Sequence, residues 1–222
     1  MQPRPPDRDR AGLIEALSVF LLILLYIWRV RLFHPGRWLV IAGILAVSHA
    51  ARGEGAQALG LRWPAFRRAF RALAPWVLGL AGALLAAGFL LDTVNPVVLG
   101  RTPGSLSLYL VWGVLQQWLL NGYLLRRLLG AGANPRQAAP AAALLFSAAH
   151  LPNPFLMGVT LGGGYLAARL FLRYESLWVL GLAHGLIGFL LNLVAPDWIS
   201  GRFLVGPRYI LHQFGTYPEA LL

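Results

Sequence analysis

Cysteine is absent from the 222 residues, which removes disulfides and thiolate metal sites and leaves the redox compartment unreadable. Lysine is absent as well: all 19 basic residues are arginine, a usage to which no function is attached. Charge of either sign is scarce, at 12% of residues against about a quarter in a soluble domain. Hydrophobic residues make up 58%, with a mean hydropathy of +0.63. Such a chain needs lipid as its solvent. The net charge of +11 does not indicate a nucleic-acid partner, because the arginines sit in short links between apolar runs rather than on one basic face. Neither internal repeats nor low-complexity linkers interrupt the chain, so a single membrane domain over 1–222 is expected.

Seven apolar runs are long enough to cross, or nearly cross, a hydrocarbon core of about 30 Å. They lie at 11–28, 38–51, 75–91, 105–125, 138–151, 155–172 and 176–195. Turn signals separate them: His34-Pro35-Gly36, Asn95-Pro96, Thr102-Pro103-Gly104, Gly130 to Pro135, and Pro152-Asn153-Pro154. The expected fold is an all-α polytopic transmembrane helical bundle of about seven spans, or eight if a segment within Trp198 to Phe214 also crosses. The first run follows Arg4, Arg8 and Arg10 and lacks a small-x-small cleavage site, so a retained anchor is expected. With the N-terminus inside, thirteen of the arginines fall on the cytoplasmic side and six opposite, which favours a cytoplasmic N-terminus in a bacterial inner membrane. Between the second and third runs, residues 61–73 read as an amphipathic surface helix. Trp63, Phe66, Phe70 and Leu73 recur at helical spacing, with Arg67, Arg68 and Arg71 between them.

An unpaired polar side chain costs several kcal/mol in hydrocarbon, so those inside spans are expected to face the bundle interior. The fourth span carries Gln116, Gln117 and Asn121, the fifth carries Phe146 and His150, and the seventh carries His184, Gly188 and Asn192 on one face. Counted at about 1.5 Å per residue from the outer boundary, Gln116 lies about 16 Å deep, His150 about 12 Å and His184 about 18 Å. The matched depths predict one polar pocket near mid-membrane. Any single Gln or Asn is better explained as interhelical glue worth about 1 kcal/mol than as a catalytic group. Two buried imidazoles at one height are harder to assign to packing alone. His34 and His49, at span ends, and His212, in the tail, are read as interfacial or solvated.

These strings resemble the CAAX-protease and bacteriocin-processing family of intramembrane proteases, whose pattern is Glu-Glu-x-x-x-Arg, then Phe-x-x-x-His, then His-x-x-x-Asn on successive helices. The resemblance covers about residues 105–195 and includes the Pro152-Asn153-Pro154 break. It implies that Gln116 and Gln117 occupy the glutamate positions, Asn121 the arginine position, His150 and His184 the histidine positions, and Gly188 the asparagine position. Asn192, one turn past Gly188, is a substitute for the missing amide. In the family a glutamate activates the attacking water; an amide cannot take that proton, and the general-base contribution is typically 10² to 10⁴ in rate. A buried neutral histidine is the replacement base expected here, with Glu15 in the first span as a second candidate and Asp92 and Glu175 placed at span ends.

No cofactor is expected, and zinc fits poorly: two histidines and amides without a carboxylate make a weak ligand set, and no HExxH helix is present. The expected partners are a peptide or lipidated protein substrate and membrane lipids, with no nucleic acid. Two functions follow. One is an intramembrane endopeptidase, atypical in its Gln-Gln pair; the other is a catalytically impaired pseudoprotease acting as a membrane scaffold or peptide-binding protein. A solute transporter is less supported, because neither an inverted repeat nor paired broken helices are found.

Overall fold

The computed structural model describes residues 9–215, so Arg4 and Arg8 of the charge count lie outside the described residues. Among the described residues the elements are helices without any strand. Four are long and apolar enough to cross a membrane: α1 (Arg10–Phe33), α3 (Trp63–Leu90), α6 (Pro154–Tyr174) and α7 (Leu177–Val194). The other apolar runs form α2 (Trp38–Ala51), α4 (Thr102–Gln117) and α5 (Pro135–Ala148). A π-helix, Trp118–Leu125, prolongs α4 without a break and passes into a short α-helical turn, Arg126–Gly130.

The helix starts follow from local chemistry. Asn134 and Gln137 form a reciprocal capping box ahead of α5, with Pro135 in the first turn, where a missing N–H costs nothing. Asn153 caps α6 in the same way by accepting from Leu156 N at 3.1 Å, and Ser176 caps α7. Asp92 and Glu175 have positive φ just beyond α3 and at the end of α6, so both close helices at the bundle surface.

The segment 61–73 and the third apolar run fall on one helix, α3, which continues through Pro75. Its buried stripe is Ala65, Ala69 and Leu73, while Trp63 and Phe70 are exposed; Trp63, Phe66 and Phe70 stack as a ladder. No helix long enough to cross lies within 198–214. That segment is broken into Asp197–Ser200, a 3₁₀ turn at Gly201–Phe203 and α8 (Pro207–Phe214), with positive φ at Gly201, Arg202, Phe203 and Gly206.

Two small-residue contacts set the core. Between α4 and α7 the backbones touch: a Cβ at Gly113 would meet Gly181 O and Gly185 N at 2.5 Å, and one at Gly185 would meet Tyr109 O at 2.5 Å. Close approach of this kind is how helices associate where lipid offers no hydrophobic drive. Between α5 and α6, Ala143 and Phe146 pack over Gly164, where a Cβ would lie 3.3 Å from the phenyl ring.

Candidate active site

The Gly113 contact places the polar residues of α4 and α7 together. Gln117 stands one turn beyond Gly113, and His184 directly precedes Gly185. Gln117 Nε2 lies 3.1 Å from His184 Nδ1, and Asn121 Nδ2 donates to Gln117 Oε1 at 2.6 Å. Gln117 and Asn121 are 1% and 0% exposed. The direction of this chain is set by its far end. As drawn, Asn121 Oδ1 is the group left without a partner; the reverse orientation would strand an amide NH₂ there, and buried unpaired donors are rarer than under-satisfied carbonyl oxygens. Gln117 therefore donates to His184 Nδ1, and the proton of the neutral imidazole sits on Nε2.

His150 lies in the turn just past α5, not inside it. Its Nδ1 is 2.8 Å from the carbonyl oxygen of Phe146. A carbonyl only accepts, so Nδ1 carries the hydrogen and Nε2 holds a lone pair. The same bond satisfies a carbonyl at the end of α5, a capping role that would keep this histidine in place whatever its chemistry. Phe146, 2% exposed, contacts both imidazoles, with ring centroids 5.1 Å from His150 and 5.9 Å from His184, both edge-on.

Other residues of the predicted set are less engaged. Gln116 is half-buried, and its amide has no hydrogen-bond partner among the described residues. Asn192 is half-buried and likewise unpaired. Gly188 faces Tyr109, whose ring would lie 3.4 Å from an added Cβ. Among the described residues no group of three or more His, Cys, Asp or Glu side chains is placed to hold a metal ion.

A second polar cluster was not anticipated from sequence. It gathers α1, α2, the link after α2 and the π-helix. Tyr123 OH donates to Glu15 Oε1 at 2.8 Å, Ser48 donates to the same carboxylate, and Arg52 reaches its other oxygen at 3.0 Å. Arg127, 3% exposed, donates to Glu54 at 2.9 Å and to Ser48 Oγ at 2.9 Å. Arg126 meets Glu54 at 3.2 Å, and His49 Nδ1 meets it at 2.7 Å. A hollow of about 520 Å³ opens beside Arg52, Glu54, Arg126 and Arg127. Burial alone would raise the Glu54 carboxyl, but hydrogen bonds from Arg127 and His49 and the charges of Arg127 and Arg126 outweigh it and bring it down to about 2.

Two expectations change here. Glu15 does pack into the bundle, but its carboxylate is engaged by Ser48, Tyr123 and Arg52 rather than by either site histidine, so it is not the replacement base. His49 is 3% exposed and so is not solvated. The signal for this cluster was the requirement that Glu15, alone in an apolar run, find cationic or hydroxyl partners.

Residues 99–190 match the family model described as type II CAAX prenyl endopeptidase Rce1-like. The match encloses Gln116, Gln117, Asn121, Phe146, His150, His184 and Gly188, and it supports the resemblance read from the motif strings. No curated protein and no solved structure matched the chain. With its apolar helices and this match, the chain is an integral membrane protein in which residues 99–190 are similar to the CAAX prenyl endopeptidase family. Asn192 lies just beyond the matched region, as do Glu15, His49 and Glu54 on the other side.

Proposed function

We propose that this protein is an intramembrane endopeptidase that hydrolyses a peptide bond of a membrane-associated or lipidated substrate, with His150 as general base. The observation that carries the reading is the opposite hydrogen-bonding state of the two imidazoles in contact with Phe146. His150 gives its Nδ1–H to the Phe146 carbonyl and presents a lone pair. His184 accepts at Nδ1 from Gln117 and presents Nε2–H. One ring is set to take a proton from water, and the other to donate to an oxygen that becomes negative.

In the proposed step His150 Nε2 removes a proton as the water oxygen bonds to the scissile carbonyl carbon. The carbonyl π pair moves onto oxygen, and His184 Nε2–H donates to that oxyanion. Collapse reforms the carbonyl and breaks the C–N bond, and the His150 imidazolium returns its proton to the leaving amine. Gln116, unpaired and half-buried, is assigned to orient the water, and Asn192 to supply a further amide donor. Gln117 and Asn121 fix the tautomer of His184. The reaction as proposed uses no metal or cofactor: His184 presents Nε2–H rather than a lone pair, and no carboxylate joins the two imidazoles.

The setting proposed with it is a bacterial inner membrane with the N-terminus cytoplasmic, peptide and lipid as the only partners, and residues 61–73 at the headgroup layer. The amide pair at Gln116 and Gln117 favours one competing reading, a pseudoprotease that binds a peptide or lipidated chain without cutting it. Purified protein in liposomes with a panel of peptides decides between them. The peptidase reading expects cleavage by the parent and its loss in both His150→Ala and His184→Ala. An inert parent with activity gained in Gln116→Glu would replace it with the binding reading.

A further inference from the structure

Two residues outside the matched region, Glu54 and His49, brace a third inside it, Trp118, next to the candidate site. Their assignment rests on the peptidase reading above, although its main test does not. Glu54, fixed by Arg127 at 2.9 Å and Arg126 at 3.2 Å, meets His49 Nδ1 at 2.7 Å and so sets the orientation of that buried ring. The face of His49 lies on Trp118, with centroids 5.7 Å apart and planes at 30°, while its edge is braced against Tyr123 at 5.8 Å and 86°. Trp118 directly follows Gln117 and is the first residue of the π-helix. On its other flank Gly122 leaves just enough room: a Cβ there would come within 2.8 Å of Trp118 Cδ1.

The polarity of this stack is unused. His49 Nε2 and Trp118 Nε1 are both buried without a hydrogen-bond partner, so hydrogen bonding between these rings does not explain why they are there. Their planes are used instead, as spacers. The place they act on is the α-to-π transition, where one extra residue enters the turn. A segment that relaxed there to α-helical register would turn Gln117 relative to everything that follows it. Gln117 is also the group that decides which nitrogen of His184 carries the proton.

We propose that Glu54, His49 and Trp118 form a positioning chain that fixes the rotation of the helix at Gln117 and, through Gln117, the tautomer of His184. None of the three touches a reacting atom. Shape matters at His49 and Trp118, whereas Glu54 serves to hold the rotamer of the imidazole, which a phenyl ring wedged between Trp118 and Tyr123 would keep by packing alone. A ring of similar size at position 49 should therefore preserve the arrangement where removal of the ring should not.

The test uses the full chain in lipid nanodiscs with ¹⁵N-labelled histidine. Five histidines give five imidazole pairs, and that of His184 is assigned by its disappearance in His184→Gln. The parent should show His184 protonated at Nε2 and accepting at Nδ1. His49→Ala and Trp118→Leu should mix or invert that pattern, while His49→Phe should retain it. In the peptide assay the first two should lower kcat by about tenfold or more with little change in KM, as expected when a reacting group is misaligned but binding is intact. An unchanged His184 pattern in folded Trp118→Leu, or identical spectra from His49→Phe and His49→Ala, overturns the proposal. If Trp118→Leu does not fold, the two His49 variants carry the test alone. A parent that cuts no peptide while its His184 pattern responds as described overturns the peptidase reading and leaves the positioning chain standing.

Discussion

The two polar clusters of this bundle differ in how completely they are satisfied. Around Gln117 the partners are neutral and the account is left open: Gln116 is unpaired, and both imidazoles keep an Nε2 without a protein partner. Around Arg127 the carboxylates are closed by opposite charge, with Glu15, Glu54, Arg52, Arg126 and Arg127 joining α1, the link after α2 and the turn after the π-helix, while the Nε atoms of Arg126 and Arg127 and His49 Nε2 are left without a hydrogen-bond partner. A carboxylate held by arginines has little basicity to spare for chemistry; a neutral imidazole with an Nε2 free of protein partners keeps a group available for it. The ionic cluster is therefore read as scaffold and the amide–imidazole cluster as site, which makes the comparison breakable by mutation.

The largest effect is expected on activity at the open cluster. His150→Ala should lower peptide cleavage by about 10² to 10⁴ while changing unfolding free energy by less than about 1 kcal/mol. Loss of stability and activity together would place His150 with the scaffold. The converse is expected for Arg127→Ala, which takes from Glu54 its most buried cationic partner, leaving Arg126 and His49, and removes a donor from Ser48. Breaking a buried pair of this kind costs about 3–5 kcal/mol and should appear as a large drop in folded yield and in Tm.

Acid should separate the clusters next. The Glu54 carboxyl lies at about 2 in the folded protein against 4.5 ordinarily, so its contribution is present above about pH 4.5 and is lost as pH falls toward 2. The full loss is up to about 3 kcal/mol. Tm measured between pH 7 and pH 3 should fall more steeply in the parent than in Glu54→Gln, and equal slopes would remove Glu54 as the cause. The smallest effect is that of Tyr123→Phe, which deletes one hydrogen bond to a carboxylate, about 1.5–3 kcal/mol by denaturant titration, and leaves cleavage per folded molecule unchanged.

Much of the bundle is legible in the sequence because its punctuation has a local cause. Asn134-Pro135 and Asn153-Pro154 start α5 and α6 where an Asn cap followed by proline must start them. The closeness of Gln117 to His184 is less legible. It depends on Gly113 meeting Gly181 and Gly185, and a glycine in an apolar run does not name its partner. The π-helix has no signal at all in Trp118-Leu-Leu-Asn-Gly-Tyr-Leu-Leu125, since its wider turn is imposed by what packs on it. The ionic cluster falls between these cases. A carboxylate at Glu15 demands partners, but only the fold says that they come from Ser48, Arg52 and Tyr123, far along the chain.

The uninterrupted α3 has a mechanical consequence. Its 28 residues measure about 42 Å, some 12 Å more than the hydrocarbon is thick. Arg67, Arg68 and Arg71 cannot sit in oil, whereas the stretch 72–90 alone measures about 28 Å and fills the slab by itself. With residues 61–73 at the proposed headgroup layer, the aromatic ladder stands on the same helix that spans the slab, and swelling or thinning of the bilayer would tilt that helix and with it Gly88 and its contact with Val194 at the far end of α7.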